Sequence, residues 1–208
     1  MSSLAPAGQW LLLLLLVSGC ATVNHAAAPI DYRLELDPAT VPQMPRHGGV
    51  LWIARPQAEA GTSTRGIAYR TAPYQLRYYT KNRWTDTPAR MLGTVLTGAF
   101  EASNLFKAVI DDNRLPANYL LTTQLRRLEQ VVPTHGEGTV ELQLRLQLIQ
   151  LPQRRLLGSW LIDTSAPTTA NNATAAVAAS NAALSQAVAV AVQSVATALN
   201  DLPNPAGH

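Results

Sequence analysis

The most constraining feature of this sequence is the segment Gly138–Leu151, in which apolar and polar residues alternate. One face carries one valine and four leucines and the other carries polar residues: Val140, Leu142, Leu144, Leu146 and Leu148 against Glu141, Gln143, Arg145 and Gln147. A period of two is typical of a strand with one face in the core and the other in water. We therefore expect this segment to lie in an antiparallel sheet with one wet face.

Further strands are predicted on both sides of this segment. Tyr119–Leu128 and Arg155–Asp163 flank it across short turns, which predicts an antiparallel meander of three strands. Shorter apolar or alternating runs predict five more strand candidates: Tyr32–Leu36, Val50–Ala54, Ile67–Arg70, Gln75–Thr80 and Phe106–Ile110. The continuous apolar run Val50–Ala54 is interpreted as a strand that is buried on both faces.

Two segments have helical spacing instead. Between Thr85 and Asn104 the apolar residues recur every three or four positions, with Thr85 or Thr87 as the cap and Pro88 in the first turn. Ala173–Leu199 is rich in alanine and long enough to span a membrane. Its serine, asparagine and glutamine residues favour a soluble helix packed on the sheet, after a polar linker at Ser165–Asn172.

These patterns predict one α+β domain with two layers. We expect a mixed or antiparallel sheet of about six to seven strands, with the two main helices packed on one face. The predicted boundaries are a signal peptide at 1–19, a lipidated tether at 20–30, the folded domain at 31–200 and a flexible tail at 201–208.

The start of the chain carries an export signal. Leu11–Cys20 combines an apolar run with the small residues Ser18 and Gly19 directly before a cysteine, as in a signal peptide. Val17-Ser18-Gly19-Cys20 resembles the bacterial lipobox, which implies cleavage between Gly19 and Cys20. It also implies lipidation of Cys20, on its sulfur and its new amino group, with acyl chains such as palmitate. A transmembrane anchor would need more apolar residues than the segment has. One departure is that Met1–Trp10 contains no Lys or Arg.

The single cysteine and the charge balance exclude several classes of protein. Cys20 is the only cysteine, so the chain has no intramolecular disulfide, and acylation leaves it no thiol nucleophile. Three acyl chains would hold a protein on a membrane without spanning it. The 16 basic and 13 acidic residues leave a surplus of +3, and the arginines are scattered rather than clustered, which argues against a nucleic-acid module.

No catalytic or metal-binding pattern is evident in the sequence. The four histidines stand apart from one another and from cysteine or carboxylate partners at metal-ligand spacing: His25, His47, His135 and His208. Asp111-Asp112 is interpreted as part of a turn rather than as a cation site. We therefore predict a protein without catalytic residues, metal or cofactor.

The segment Tyr74–Trp84 is the most informative part of the folded region. Strand alternation would place Leu76 and Tyr78 on one face, with Arg77 and Tyr79 on the other. One interpretation is that these are core aromatics with arginines reaching to the surface. The other is a partner contact, because tyrosine, tryptophan and arginine are enriched at binding hot spots. The candidate residues are Tyr74, Tyr78, Tyr79, Arg83 and Trp84.

The order of these motifs resembles that of the ABC-type transport auxiliary lipoproteins, the group that includes the lipoprotein of the paraquat-inducible Pqi system. The motifs that carry the resemblance are the lipobox, Tyr32-Arg33-Leu34, Val50–Pro56, Ile67–Arg70, Leu76–Trp84 with Pro88, Ser103–Val109 and Ala179–Leu184. Thr80-Lys81-Asn82 departs from the pattern, because small residues are more usual there. The resemblance covers nearly the whole mature chain.

The resemblance implies a non-enzymatic subunit that helps to move lipids across the Gram-negative envelope. The implied partners are an MCE-domain protein and the permease and ATPase of an ABC transporter, and phospholipid contact and a homo-oligomer are allowed. Because Ala21 rather than aspartate follows Cys20, the expected location is the periplasmic face of the outer membrane. Two alternatives stay open: a periplasmic lipid carrier, and a structural or assembly lipoprotein unrelated to transport.

Overall fold

The computed structural model describes residues 28–202, so the predicted signal peptide, Cys20 and residues 203–208 lie outside it. The described residues form nine strands and two α-helices, with two short 3-10 helices at Pro38–Thr40 and Ala60–Thr62. The strands are β1 (Ile30–Tyr32), β2 (Val50–Ile53), β3 (Gln57–Ala58), β4 (Gly66–Arg70), β5 (Arg77–Trp84), β6 (Ala108–Ile110), β7 (Tyr119–Val131), β8 (Thr139–Gln150) and β9 (Arg155–Pro167). The helices are α1 (Pro88–Ala102) and α2 (Ala173–Asn200).

The long strand β7 organises a single mixed sheet. One edge of β7 pairs with β8, and β8 pairs with β9, which gives the predicted antiparallel meander. The other edge of β7 pairs in turn with β2, β3 and β4, all parallel to it. Strand β6 extends the sheet beyond β2, and β5 and then β1 extend it beyond β4. The predicted α+β class is confirmed.

The alternation in β8 has the predicted structural consequence. Its valine and leucines are almost completely buried under the helices, while Glu141, Gln143 and Gln147 are partly exposed and Arg145 is exposed on the open face. Burial of one large apolar side chain contributes about 1.5–3 kcal/mol to folding. The alternating row in β8 therefore fixes both the register of the meander and the face that the helices cover.

Both helices pack on the same face of the sheet. Thr87 is the N-cap residue of α1 and Pro88 lies in its first turn, as predicted. The side chain of Asn172 caps α2 by accepting a hydrogen bond from the backbone N–H of Ala175 at 2.9 Å. By length and composition α2 could cross a membrane, but it packs on β8 and β9 with Ala183 and Ala187 fully buried. The predicted sheet-packed helix is confirmed.

Several predicted details are wrong. The strand at Tyr32–Leu36 is instead Ile30–Tyr32, because only these three residues pair with β5. In β2, Val50 and Trp52 are only partly buried, because residues 28–202 place no covering layer of helices on the second face of the sheet. The predicted linker Ser165–Asn172 is too long, since β9 continues to Pro167 beside Thr139. The predicted strand count is low, in part because β3 has only two residues and no alternation.

Candidate functional site

The predicted aromatic segment begins in the turn that joins β4 to β5. Tyr74 lies at this turn with a fully exposed side chain and a φ of 63°. Positive φ is uncommon for a bulky residue and is worth a functional explanation where it occurs. Leu76 follows with 39% of its surface exposed. The turn therefore presents one aromatic and one aliphatic side chain to the solvent.

Tyr78 lies on the open face of the sheet and is held in place there. Its hydroxyl donates a hydrogen bond to the carbonyl oxygen of Gly61 at 3.1 Å. Its ring covers Gly66, where an added Cβ would come within 2.5 Å of the ring carbon Cδ1. Position 66 therefore requires glycine. Tyr78 still has 37% of its surface exposed, so it can contact a partner without leaving this position.

Tyr79 points to the opposite face, where its side chain packs and forms hydrogen bonds within the fold. Its ring packs against Tyr69 with 4.7 Å between the ring centroids. Its hydroxyl donates to Gln130 Oε1 at 2.6 Å, and the buried Gln130 side chain donates in turn to Thr168 Oγ1 at 3.1 Å. Burial, with a smaller effect from Tyr69, raises the pKa of Tyr79 above its ordinary value. The phenol therefore stays protonated and acts as a donor.

Arg83 and Trp84 close the segment and secure the edge of the sheet. Arg83 Nε donates to Asp31 Oδ1 at 2.8 Å, and Arg65 Nη2 donates to the same oxygen at 2.9 Å. The hydrogen bond from Arg83, with the charges of Arg83 and Arg65, lowers the pKa of Asp31. Trp84 is only 2% exposed and belongs to the core.

The five predicted residues thus divide into two groups. Tyr74 and Tyr78 are accessible to a partner, while Tyr79, Arg83 and Trp84 make contacts within the fold. The sequence could not separate the two groups, because alternation along a strand shows only which side chains share a face. It does not show how much of each side chain the rest of the fold buries.

A charged cluster beside the turn was not predicted. Glu129 of β7 and Glu141 of β8 lie directly opposite each other, an arrangement that is unfavourable for like charges. Arg70 of β4 bridges them, with Nε 2.8 Å from Glu129 Oε1 and Nη2 3.0 Å from Glu141 Oε2. Arg127 Nη1 also lies 3.0 Å from Glu141 Oε2. Two guanidinium groups therefore neutralise two carboxylates.

The hydrogen bonds within this cluster affect the arginine that bridges it. Burial alone would lower the pKa of Arg70, but the hydrogen bonds and charges of Glu141 and Glu129 outweigh it and raise that pKa. Arg70 is therefore firmly charged. The only signal in the sequence was the like charge of Glu129 and Glu141, which becomes meaningful only once the register of β7 and β8 is known.

A shallow groove of about 420 Å³ separates the turn from this cluster. Its lining includes Tyr74, Leu76, Arg70, Arg127 and Glu129. Because both arginines are already paired with carboxylates, the groove has no excess positive charge with which to hold a phosphate or another anion. The groove alone therefore does not define a ligand site.

The predicted histidine and aspartate candidates do not form a metal-binding group within residues 28–202. That range contains no group of three or more His, Cys, Asp or Glu residues that could hold a metal ion. His47 Nε2 is hydrogen-bonded to the Tyr119 hydroxyl at 3.0 Å, and His135 lies in the turn between β7 and β8. Asp112 accepts hydrogen bonds from Arg114 in the predicted turn. His25 and His208 lie outside the described residues.

Solved structures share this fold. Protein XCC0632 from Xanthomonas campestris, of the DUF330 family, is 24% identical with a TM-score of 0.69, and the match covers 82% of this chain and 94% of that one. A second, uncharacterised protein is 15% identical with a TM-score of 0.64, covering 81% and 99%. The hypothetical protein CT253 from Chlamydia trachomatis is 7% identical with a TM-score of 0.51, covering 73% and 98%. At these identities the likeness establishes the fold alone.

Comparison of the sequence with protein families gives the assignment. No curated protein matches the chain. The family model for the ABC-type transport auxiliary lipoprotein component matches residues 32–192, which span strands β2 to β9 and most of α2. This match agrees with the order of motifs in the sequence and with the α+β fold. The chain belongs to the ABC-type transport auxiliary lipoprotein family.

Proposed function

We propose that this protein is a non-enzymatic, lipid-anchored adaptor of an MCE-associated ABC system that transports lipids across the Gram-negative envelope. The observation that carries the proposal is the family match over residues 32–192, because this family accompanies ABC transporters. The proposed site of attachment is Cys20, after cleavage behind Gly19. Ala21 after the lipidated cysteine supports residence on the periplasmic face of the outer membrane.

The packing of the core favours an adaptor over a lipid carrier. A carrier would bind an acyl chain between the sheet and the helices. In this protein Ala187 and Ala191 of α2 and Leu144 and Leu146 of β8 are completely buried. Alanine lets the helix approach the sheet closely, and a packed core has little space left over. An acyl chain would therefore have to separate α2 from the sheet.

The adaptor role requires surface that is free to meet a partner. The open face of the sheet supplies it, because the described residues place no α-helix there and Tyr78, Arg145 and Leu161 remain exposed. The proposed partners are the MCE-domain protein and, through it, the permease and ATPase. No chemical step is assigned to this chain.

In-cell cross-linking tests the proposal. A photo-reactive residue at Leu161 on the open face should capture an MCE-domain protein in growing cells. The matched position is Val190, an exposed residue on the outer side of α2, where the capture should be weaker. Capture at Leu161 should also fall when Cys20→Ser removes the anchor. Recovery of one unrelated protein, with no MCE-domain protein at either position, would overturn the proposal.

A further inference from the structure

The chain enters the fold at β1, which lies at the edge of the sheet beside β5. Strand β1 runs parallel to β5 with Ile30 beside Asn82 and Tyr32 beside Trp84. Because the two strands are parallel, the N-terminal end of β1 points toward Arg77, where β5 begins, and toward the turn that carries Tyr74. The exposed residues Ala28 and Pro29 are the first described on this path.

The length of chain before Ile30 is sufficient to reach past this turn. Arg77 lies five residues before Asn82 on β5, a distance of about 17 Å along a strand. Cys20–Pro29 is ten residues long, and ten residues span at most about 33–36 Å. An anchor at Cys20 can therefore hold the domain with the β4–β5 turn against the membrane.

The side chains of the turn suit the boundary between lipid headgroups and water. Tyr74 has an apolar ring and a polar hydroxyl, the combination that is enriched at membrane interfaces. Its backbone conformation and full exposure leave the ring without support from the rest of the described structure. Leu76 adds aliphatic surface beside it. Arg77, at the start of β5, is exposed and can face anionic lipids.

We infer that the β4–β5 turn is the membrane-facing tip of the domain, with Tyr74 and Leu76 inserted among the headgroups of the bilayer that holds the Cys20 anchor. This inference rests on the anchor in the proposed function and adds the orientation of the domain. It places the β8–β9 turn, about 40 Å away along β7 and β8, in water.

The β8–β9 turn serves as a control because it also combines a residue of positive φ with an exposed leucine, at the other end of the sheet. Arg154 also has a positive φ, of 58°, and Leu156 is exposed. The two turns differ mainly in their place relative to the incoming chain. If an exposed leucine were sufficient for lipid contact, both turns would contact lipid equally. The inference predicts lipid contact at the β4–β5 turn only.

Photo-cross-linking in nanodiscs tests the orientation. The chain 20–208 is coupled through Cys20, its only cysteine, to a maleimide lipid in nanodiscs of phosphatidylethanolamine and phosphatidylglycerol. This coupling does not depend on lipidation in cells, so failure of the proposed function and failure of this inference can be distinguished. Benzoylphenylalanine is placed at Tyr74, Leu76, Arg154 or Leu156. We expect lipid adducts at positions 74 and 76 and none above background at 154 and 156.

Two results would overturn the inference. One is equal or greater lipid capture at positions 154 and 156, and the other is capture at 74 and 76 of a second protein copy instead of lipid. All four side chains are exposed, and circular dichroism would verify the fold of each variant.

A binding measurement gives a second readout. When Cys20 carries a single myristoyl-length chain, anchoring is marginal and the tip contributes measurably. Tyr74→Ser with Leu76→Ser should lower partitioning into the same lipids as vesicles on the order of tenfold, and Leu156→Ser should leave it unchanged. Equal partitioning of all three proteins would contradict the inference.

Discussion

The two faces of the sheet are built from the same strands but differ in their roles in stability and in binding. On the covered face, the leucines of β8 lie against the alanines of α2 with almost no exposed surface. On the open face, the intervening residues carry charges that are paired with one another, such as Arg70 with Glu129 and Glu141. The covered face stabilises the fold, and the open face with its turns is available for contacts.

This difference explains where partner contacts are expected. A substitution on the covered face should change stability and affect transport only through the amount of folded protein. A substitution of an exposed open-face residue or of the β4–β5 turn should leave stability nearly unchanged and alter a contact. The following predictions test that division.

The largest expected effect is on the covered face. Leu146→Ala removes a side chain with 0% exposure and should lower the free energy of unfolding by about 2–5 kcal/mol. Leu161→Ala, on the open face of the neighbouring strand and 50% exposed, should change it by less than about 0.5 kcal/mol. Urea unfolding of the Cys20→Ser chain measures both. Equal costs would contradict the division between the faces.

Two adjacent tyrosines give the next comparison. Tyr79→Phe removes the donor to the buried Gln130 and should cost about 1–3 kcal/mol, because Gln130 Oε1 loses its partner away from water. Tyr78→Phe removes a hydrogen bond at the surface, where water can replace it, and should cost under about 0.5 kcal/mol. Thermal unfolding of the two variants side by side would show the difference, and the reverse order would refute this assignment of the two side chains.

The charged cluster of Arg70, Arg127, Glu129 and Glu141 should contribute less to the free energy of unfolding than a core side chain, but more than an exposed ion pair. Arg70→Met leaves Glu129 and Glu141 opposite each other with only Arg127 nearby, and should cost about 1–2 kcal/mol. Arg114→Met breaks a pair with Asp112 in an exposed turn, where water screens the charges, and should leave the free energy of unfolding nearly unchanged. Denaturant unfolding at low and high salt is the measurement. If both variants match the parent protein, the cluster does not stabilise the open face.

The smallest effect concerns Asp31 and its dependence on pH. Because the folded protein lowers the pKa of Asp31 below its ordinary value of 3.8, the ionised carboxylate stabilises the fold above that pH. This stabilisation disappears as the pH falls through the lowered pKa. Asp31→Asn should therefore be less stable than the parent at pH 6 and converge with it in strong acid. A constant difference between the two proteins at every pH would contradict this.

The sequence predicted the parts of the fold that depend on local periodicity. The alternation in β8 and the helical spacing in α1 and α2 lie within single segments, so their burial could be anticipated. Strand β3 and the pairing of β2, β3 and β4 along one edge of β7 could not be predicted, because they depend on contacts between distant segments.

The candidate site also depends on contacts between distant segments, which the sequence does not reveal. Tyr74–Trp84 remains a predicted contact segment, and its sequence does not show that Trp84 is buried and Tyr74 exposed. The Arg70 cluster was not predicted because its four residues come from three strands. Such charge pairs become visible only when strand register is known.

Fractionation of cells most directly tests the central claim that this domain works from a lipid anchor at the membrane. We expect the wild-type protein to sediment with the outer membrane and the Cys20→Ser protein, equally folded, to appear in the soluble periplasmic fraction. An identical distribution of the two proteins, in either fraction, would contradict this claim.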